Sequence, residues 1–371
     1  MSSVDEEVTV GYWNAPEGPS KAPFMELISG VIHQREMVDA NLLPNLQNST
    51  DLVLASDYAG ENPHSQFQVL GYLLADGSES IPAWDMARKA VRAKFLPDNR
   101  RIEFKSLGDG LRQKAMLPFL NSANSINGLV LCVAIDKAIQ QIVPGLISAK
   151  HWASVPWKPD VWEKLVRIAI FGSILVGGLS RPGQKLLWIT DEDAIVANDN
   201  CLDDACLVMG TALWHYCPKG LDDVSMGIAG KFTDERQAED LVSIVDLAVG
   251  SVTEGLSLIG PAGVPRATSI PTPIHGHLST KAKLIHSWLS TVHVPLKKLV
   301  CMVRPADGGL LFSFSNPEFS VGSPLARAMA NTQLWLPVDR GWKDLLYRRD
   351  ILGPRTPGGI LLPSRRRFGL P

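Results

Sequence analysis

No two of the five cysteines, Cys132, Cys201, Cys206, Cys217 and Cys301, form a Cys-x-x-Cys pair. A disulfide framework is therefore not expected in a chain of 371 residues, and thiols in a reducing cytoplasm are. Cys201 and Cys206 with Cys217 or His215 are poorly spaced for a zinc site, so these are read as buried or free thiols. The longest apolar run, Ile168–Leu179, falls short of the roughly 20 residues of a membrane-spanning helix and predicts a buried one. The acidic opening MSSVDEEVTV offers neither a basic nor an apolar leader, so a cytoplasmic location and no membrane partner are expected. Gly-x-Ser-x-Gly is absent, which removes one common nucleophile. GGLSRPGQK at 177–185 fails as a phosphate loop: it follows a predicted helix, its lysine is displaced, and no Ser or Thr comes next. No internal repeat is found.

What is present suits a folded α/β protein, with 45% hydrophobic and 20% charged residues. The net charge of -2 conceals an asymmetry. Residues 265–371 hold 15 Lys and Arg against 5 Asp and Glu, a net of +10, and the first 264 residues carry -12. A basic segment joined to an acidic body suggests either an anionic partner steered to a carboxylate-bearing site or attraction between the two halves.

Residues 1–50 read as an N-terminal arm with one short helix, Met25–Val38. Strand patterns follow at 51–57, 67–75 and 100–107, with a helix at 81–96 between the last two and another at 107–124 carrying a proline. INGLVLCVAID, 126–136, is the continuous apolar run of a strand covered on both faces. A helix at 160–179, a buried strand at 185–196 and a helix from Ala238 to Leu256 complete a core at 51–260. The Pro- and Gly-rich stretch 261–273 reads as a linker. Beyond it, 274–371 reads as a basic region with a helix (STKAKLIHSWLSTV), a hairpin turning at Asp307-Gly308-Gly309, and a tail containing Arg365-Arg366-Arg367. His275 and His277 fall in loop sequence.

Five acids end or interrupt apolar elements. Asp57 ends the first strand, Glu103 lies just ahead of a helix, Asp136 and Asp191 end buried strands, and Asp246 breaks an apolar helical face. Single acids of this kind often cap the next helix. Gathered at one rim of a sheet they would repel unless protonated or bridged by cations. Hard divalent ions such as Mg2+ or Mn2+ take carboxylate oxygens, and a pair of them activates water in phosphodiester cleavage.

The element order, with Asp57-Tyr58-Ala59-Gly60, Glu103-Phe104-Lys105, Trp188-Ile189-Thr190-Asp191-Glu192 and Val245-Asp246-Leu247-Ala248-Val249-Gly250, resembles the ribonuclease H-like superfamily. More narrowly it resembles an uncharacterised bacterial family of that fold whose first strand reads Asp-Glu-Ser-Gly. The resemblance covers roughly residues 50–315. It implies a mixed central sheet flanked by helices, with an appended basic α+β C-terminal region, and a Mg2+- or Mn2+-dependent nuclease or phosphodiester hydrolase. Asp57 would bridge two ions, and Glu103, Asp136 or Asp191, and Asp246 would complete their shells. Asp191 is preferred to Asp193 because it follows the apolar run directly. Tyr58 stands where the family has a second acid, and Glu61 is the nearest substitute. Lys105 would hold a substrate phosphate or neutralise Glu103. Lys281 and Lys283, on a helix with Trp288, suit a nucleic-acid backbone as substrate contacts. The alternative is a non-catalytic binding or interaction protein on the same fold.

Overall fold

Nine residues from Gly128 to Asp136, GLVLCVAID, are buried along their whole length, as a strand covered on both faces must be. This strand, β3, lies inside an eight-stranded mixed sheet in a computed structural model that describes residues 11–14, 23–62, 65–142, 157–217, 220–233, 235–263, 278–306, 309–315 and 333–337. The other strands are β1 (Asp51–Ala59), β2 (Phe67–Asp76), β4 (Lys185–Thr190), β5 (Asp223–Ile228), β6 (Leu296–Ala306), β7 (Gly309–Ser315) and β8 (Gln333–Pro337). They run in the order β5-β4-β1-β2-β3-β6-β7-β8. β2 is antiparallel to β1 and β3, whereas β1, β4 and β5 are parallel to one another and β6 is parallel to β3. The C-terminal ends of β1, β3, β4, β5 and β6 therefore share one rim, the edge where open α/β sheets form ligand sites.

Alternation along each strand sorts side chains into two cores. Leu52 and Leu54 of β1 face one layer, made by α1 (Pro23–Val38), α4 (Pro159–Leu179) and α5 (Asp199–Tyr216). Val53 and Ala55 face the other, made by α2 (Ser80–Phe95), α3 (Gly110–Ala123), α6 (Gln237–Gly263) and α7 (Thr280–Leu289). The result is a sheet between two helical layers.

Local chemistry explains several of these elements. Asp109 caps α3 by accepting the N–H groups of Leu111 and Arg112, and Asn198 caps α5 through Cys201 N–H. Pro159 opens α4 at a position where a missing N–H costs nothing. α6 is anchored near its start by Asp240, fully buried and paired with Arg88 and Arg92 of α2. Its stretch Gln237–Leu258 is long and apolar enough to cross a bilayer, and 67% of its most apolar window is buried against the sheet and α7.

Three sequence expectations change. The segment 100–107 is not a strand: it is irregular up to Glu103, and Phe104–Ser106 form a 3-10 turn. β2 is already flanked by β1 and β3, and Ile102 and Leu107 of this segment go into the core. The strand expected over 185–196 stops at Thr190, and Ala194–Val196 form a second 3-10 turn begun by the Asp193 side chain. α5 and β5 were not expected from the sequence. The sheet also runs across both expected boundaries. Ile28, Val31, Leu43 and Leu46 of the segment read as an arm pack in the core, and β6 extends the sheet from β3. The linker beyond Gly263, His275, His277, the turn residues Asp307 and Gly308, and the arginine-rich tail lie outside the described residues.

Candidate functional site

Asp57 occupies the β1 face that carries Val53 and Ala55, beneath α6, and is 7% exposed. Its register partner on β2 is Gly71. A Cβ at position 71 would sit 2.3 Å from Val249 Cγ1 and 2.5 Å from Val245 Cγ1, so the missing side chain is what lets α6 settle onto the sheet there. That close approach brings Asp246, beside Val245, to Asp57. One turn along α6, Gly250 makes room for the Phe104 ring, which a Cβ would meet at 2.4 Å. Phe104 thereby donates its backbone N–H to Asp246 Oδ2.

The Asp57 and Asp246 carboxyls are close enough to act on each other's ionisation. Burial, followed by the charges of Asp246 and Asp191, pushes Asp57 well above the usual carboxylate range. Burial also pushes Asp246 up to about 6, against the opposing pull of the Phe104 N–H. Two buried carboxyls side by side repel when both are ionised, which favours the protonated form of Asp57.

Asp191 directly follows β4 and donates its backbone N–H to Ser56 O, which sets it next to Asp57 on the same face. Its carboxylate takes a 2.6 Å bond from Arg101 Nη2. The same guanidinium stands 3.4 Å, through Nε, from Glu103 Oε1, and its charge also reaches Asp246. Partial burial alone would lower the Arg101 pKa, and the neighbouring carboxylates, Asp191 foremost, raise it instead. Four of the five expected acids are thus neighbours, arranged as an inner pair of buried carboxyls and an outer pair holding an arginine.

The fifth acid is elsewhere. Asp57 aligns with Gly71, Gly71 aligns with Cys132, and Asp136 lies four residues beyond Cys132 on β3. That is roughly 10 Å across the sheet and 13 Å along it. Asp136 accepts instead from Gln66 Nε2 and from the N–H of Ala138, a turn-closing role. Asp193 and Glu61 lie on the opposite side of the sheet, where both bind the buried ammonium of Lys164. Tyr58 points that way too. Its hydroxyl bonds Ser56 and Thr190, with Lys164 5.0 Å from its ring centre. Asp191 and Asp193 thus lie on opposite sides of the sheet.

Lys105 is 83% exposed and 3.6 Å from Glu103 Oε2, consistent with neutralising that acid. Lys281 is engaged with Phe104, donating to its carbonyl oxygen at 2.9 Å and standing 4.0 Å over its ring. It buttresses the turn under Asp246. Lys283 is half-buried two residues along α7, so it points away from Lys281. Arg101 is the site residue that sequence reading passed over. Its signal was an arginine two positions before Glu103, hidden by the expectation of a strand.

The donor chemistry suits a hard cation, since all four groups are carboxylates on one rim. The side-chain arrangement does not: among the described residues no three His, Cys, Asp or Glu side chains converge as ligands. Asp191 and Glu103 turn to Arg101 instead. No family model, curated protein or solved structure matches the chain.

Proposed function

We propose that this chain is a divalent-metal-dependent phosphodiester hydrolase of ribonuclease H-like fold, acting on nucleic acid. The observation that carries the reading is the Asp57–Asp246 pair, two buried carboxyls side by side on the ligand-binding rim with Asp191 and Glu103 beside them. A pair this poorly solvated is a poor stability device, because its repulsion costs free energy at neutral pH. The strand order β3-β2-β1-β4-β5, with β2 reversed, is compatible with the fold.

Asp57, Asp191, Glu103 and Asp246 would hold Mg2+ or Mn2+, which would supply Lewis-acid polarisation of the phosphate and a more acidic water. Phe104 N–H holds Asp246 in orientation, and Lys105, exposed beside Glu103, is available to a substrate phosphate. The +10 segment after residue 264 favours an anionic polymer as substrate.

The test is cleavage of single- and double-stranded DNA and RNA with Mn2+ or Mg2+, comparing wild type with Asp57→Asn. Metal-dependent cleavage should vanish in the variant while its metal-free melting temperature is no lower. Cleavage retained by Asp57→Asn removes the centre.

A non-catalytic binding protein is the second reading, favoured by one observation: Arg101 already neutralises Asp191 and Glu103. That reading requires nucleic-acid binding without cleavage, and no change of melting temperature with Mn2+.

A further inference from the structure

β5 ends the sheet on one side. It pairs in parallel with β4, and among the described residues nothing pairs with its outer side. Alternate residues of such a strand turn N–H and C=O groups outward, a ready template for another strand. Proteins usually blunt an edge of this kind with a proline, a bulge, a very short strand or a charge in its middle. β5 reads DVSMGI, six residues without proline, in unbroken register with β4 from Asp223 to Ile228. Between Asp223 and Ile228 it carries no charge. Val224 and Met226 are half-buried against the core formed with α4 and α5, so apolar surface runs out to the edge.

The charges lie at the two ends and differ in sign. Asp222, exposed, and Asp223 open the strand, and Lys231 closes the 3-10 turn that follows it. Lys231 is 44% exposed and stands 3.3 Å from Asp199, itself 92% exposed, a solvated pair that is easily exchanged. A parallel copy of β5 alongside would set acid beside acid. An antiparallel copy sets each acidic start beside the other's basic end, twice about one two-fold axis.

We propose that β5 pairs antiparallel with β5 of a second copy of this chain, joining two sheets into one. The two-fold axis stands normal to the sheet, so both α6 layers lie on the same side and the two ligand rims point in opposite directions. Asp57 is on β1, two strands in from β5, and the pairing leaves its rim uncovered.

The experiment is sedimentation velocity over a dilution series of the full chain, in wild type, Ser225→Lys, Lys231→Glu and the double variant Asp222→Lys with Lys231→Glu, each verified as folded by circular dichroism. Wild type should be a dimer that dissociates on dilution. Ser225→Lys puts a charge midway along the edge and should leave a monomer. Lys231→Glu, at an exposed position outside the ladder, should weaken association about tenfold, since two like-charge contacts replace two opposite ones. The double variant restores opposite signs and should recover the dimer. Hydrogen exchange should show the outward amides of β5 protected in wild type and exchanging in Ser225→Lys. A wild-type monomer at every concentration overturns the inference, and protected β5 amides in that monomer would mean that another segment of the same chain covers the edge. A dimer indifferent to Ser225→Lys and Lys231→Glu overturns it, because a different face then joins the copies. Failure of the double variant to recover what Lys231→Glu loses rules out the antiparallel pairing. An open-ended series of oligomers, as head-to-tail pairing of β5 with β8 would produce, overturns it as well.

Discussion

Asp57 and Asp246 illustrate how one strand residue and one helix residue acquire chemistry that neither has alone. Each is a carboxylic acid next to apolar neighbours. Burial and then the charges of Asp246 and Asp191 raise Asp57, whereas burial and then the charge of Glu103 raise Asp246 against the pull of the Phe104 N–H and of Asp57 itself. Raised folded-state values give stability that is full below the unfolded carboxylate value, about 3.9. That stability is lost as pH rises through the folded values, about 6 for Asp246 and above the usual range for Asp57. The metal-free protein should therefore lose stability between pH 4 and pH 7 from this pair. Asp57→Asn keeps a hydrogen-bond donor toward Asp246 and removes the repulsion. Denaturant unfolding at several pH values should show a flatter profile for the variant, and an unchanged slope would mean that the two carboxyls are not in contact. Asp57 and Asp246 were both visible in sequence as acids in apolar surroundings. Their partnership was not, because 189 positions of chain separate them and nothing local encodes which face of α6 meets β1.

At the scale of elements, glycines set the distances. α6 reaches the sheet through Gly71 and accepts Phe104 through Gly250, and the two contacts fix Asp246 from both sides. Gly71→Val should cost about 1–3 kcal/mol or more through overpacking against Val245 and Val249. It should also weaken Mn2+ binding by moving α6 outward. Gly30→Ala gives the opposite sign. Gly30 lies inside α1 and a Cβ there meets nothing within 4 Å, so the substitution should stabilise by about 0.5–1 kcal/mol. Chemical denaturation of the two variants side by side separates a packing glycine from an incidental one. The expected strand over 100–107 shows the limit of periodicity at this scale. RRIEFKSL alternates as a strand does, but β2 already has β1 and β3 on its two sides, and the segment instead puts Ile102 and Leu107 into the core. The loop that results is what frees Arg101 to turn toward Asp191.

For the molecule as a whole, the sheet gathers residues from β1, β4, the α2–α3 loop and α6 onto one rim and leaves Asp136 on another part of the same face. Binding of a cation to the folded state alone should stabilise it by RT ln(1 + [L]/Kd), about 2.7 kcal/mol at a hundredfold excess over Kd. Mn2+ should therefore raise the melting temperature in a concentration-dependent way, EDTA should reverse the gain, and Asp57→Asn should abolish it. A melting temperature indifferent to Mn2+ would favour the binding-protein reading. On the proposed reading, nucleic-acid binding that draws on the net charge of +10 over residues 265–371 should weaken as salt rises.

Sequence alone determined the alternation that puts Asp57 on a strand and Asp191 just past the end of one, the helical period that puts Asp246 on an apolar face, and the two-sided burial of β3. These follow from local geometry, since side-chain direction repeats every two residues in a strand and every 3.6 in a helix. Only the tertiary structure decided that Asp136 stands apart, that Tyr58, Glu61 and Asp193 face the other layer, and that Arg101 fills the space between the acids. Those outcomes depend on strand order, register and the depth at which one helix lies on a sheet. They are set by packing between segments far apart in the chain, which no local pattern records.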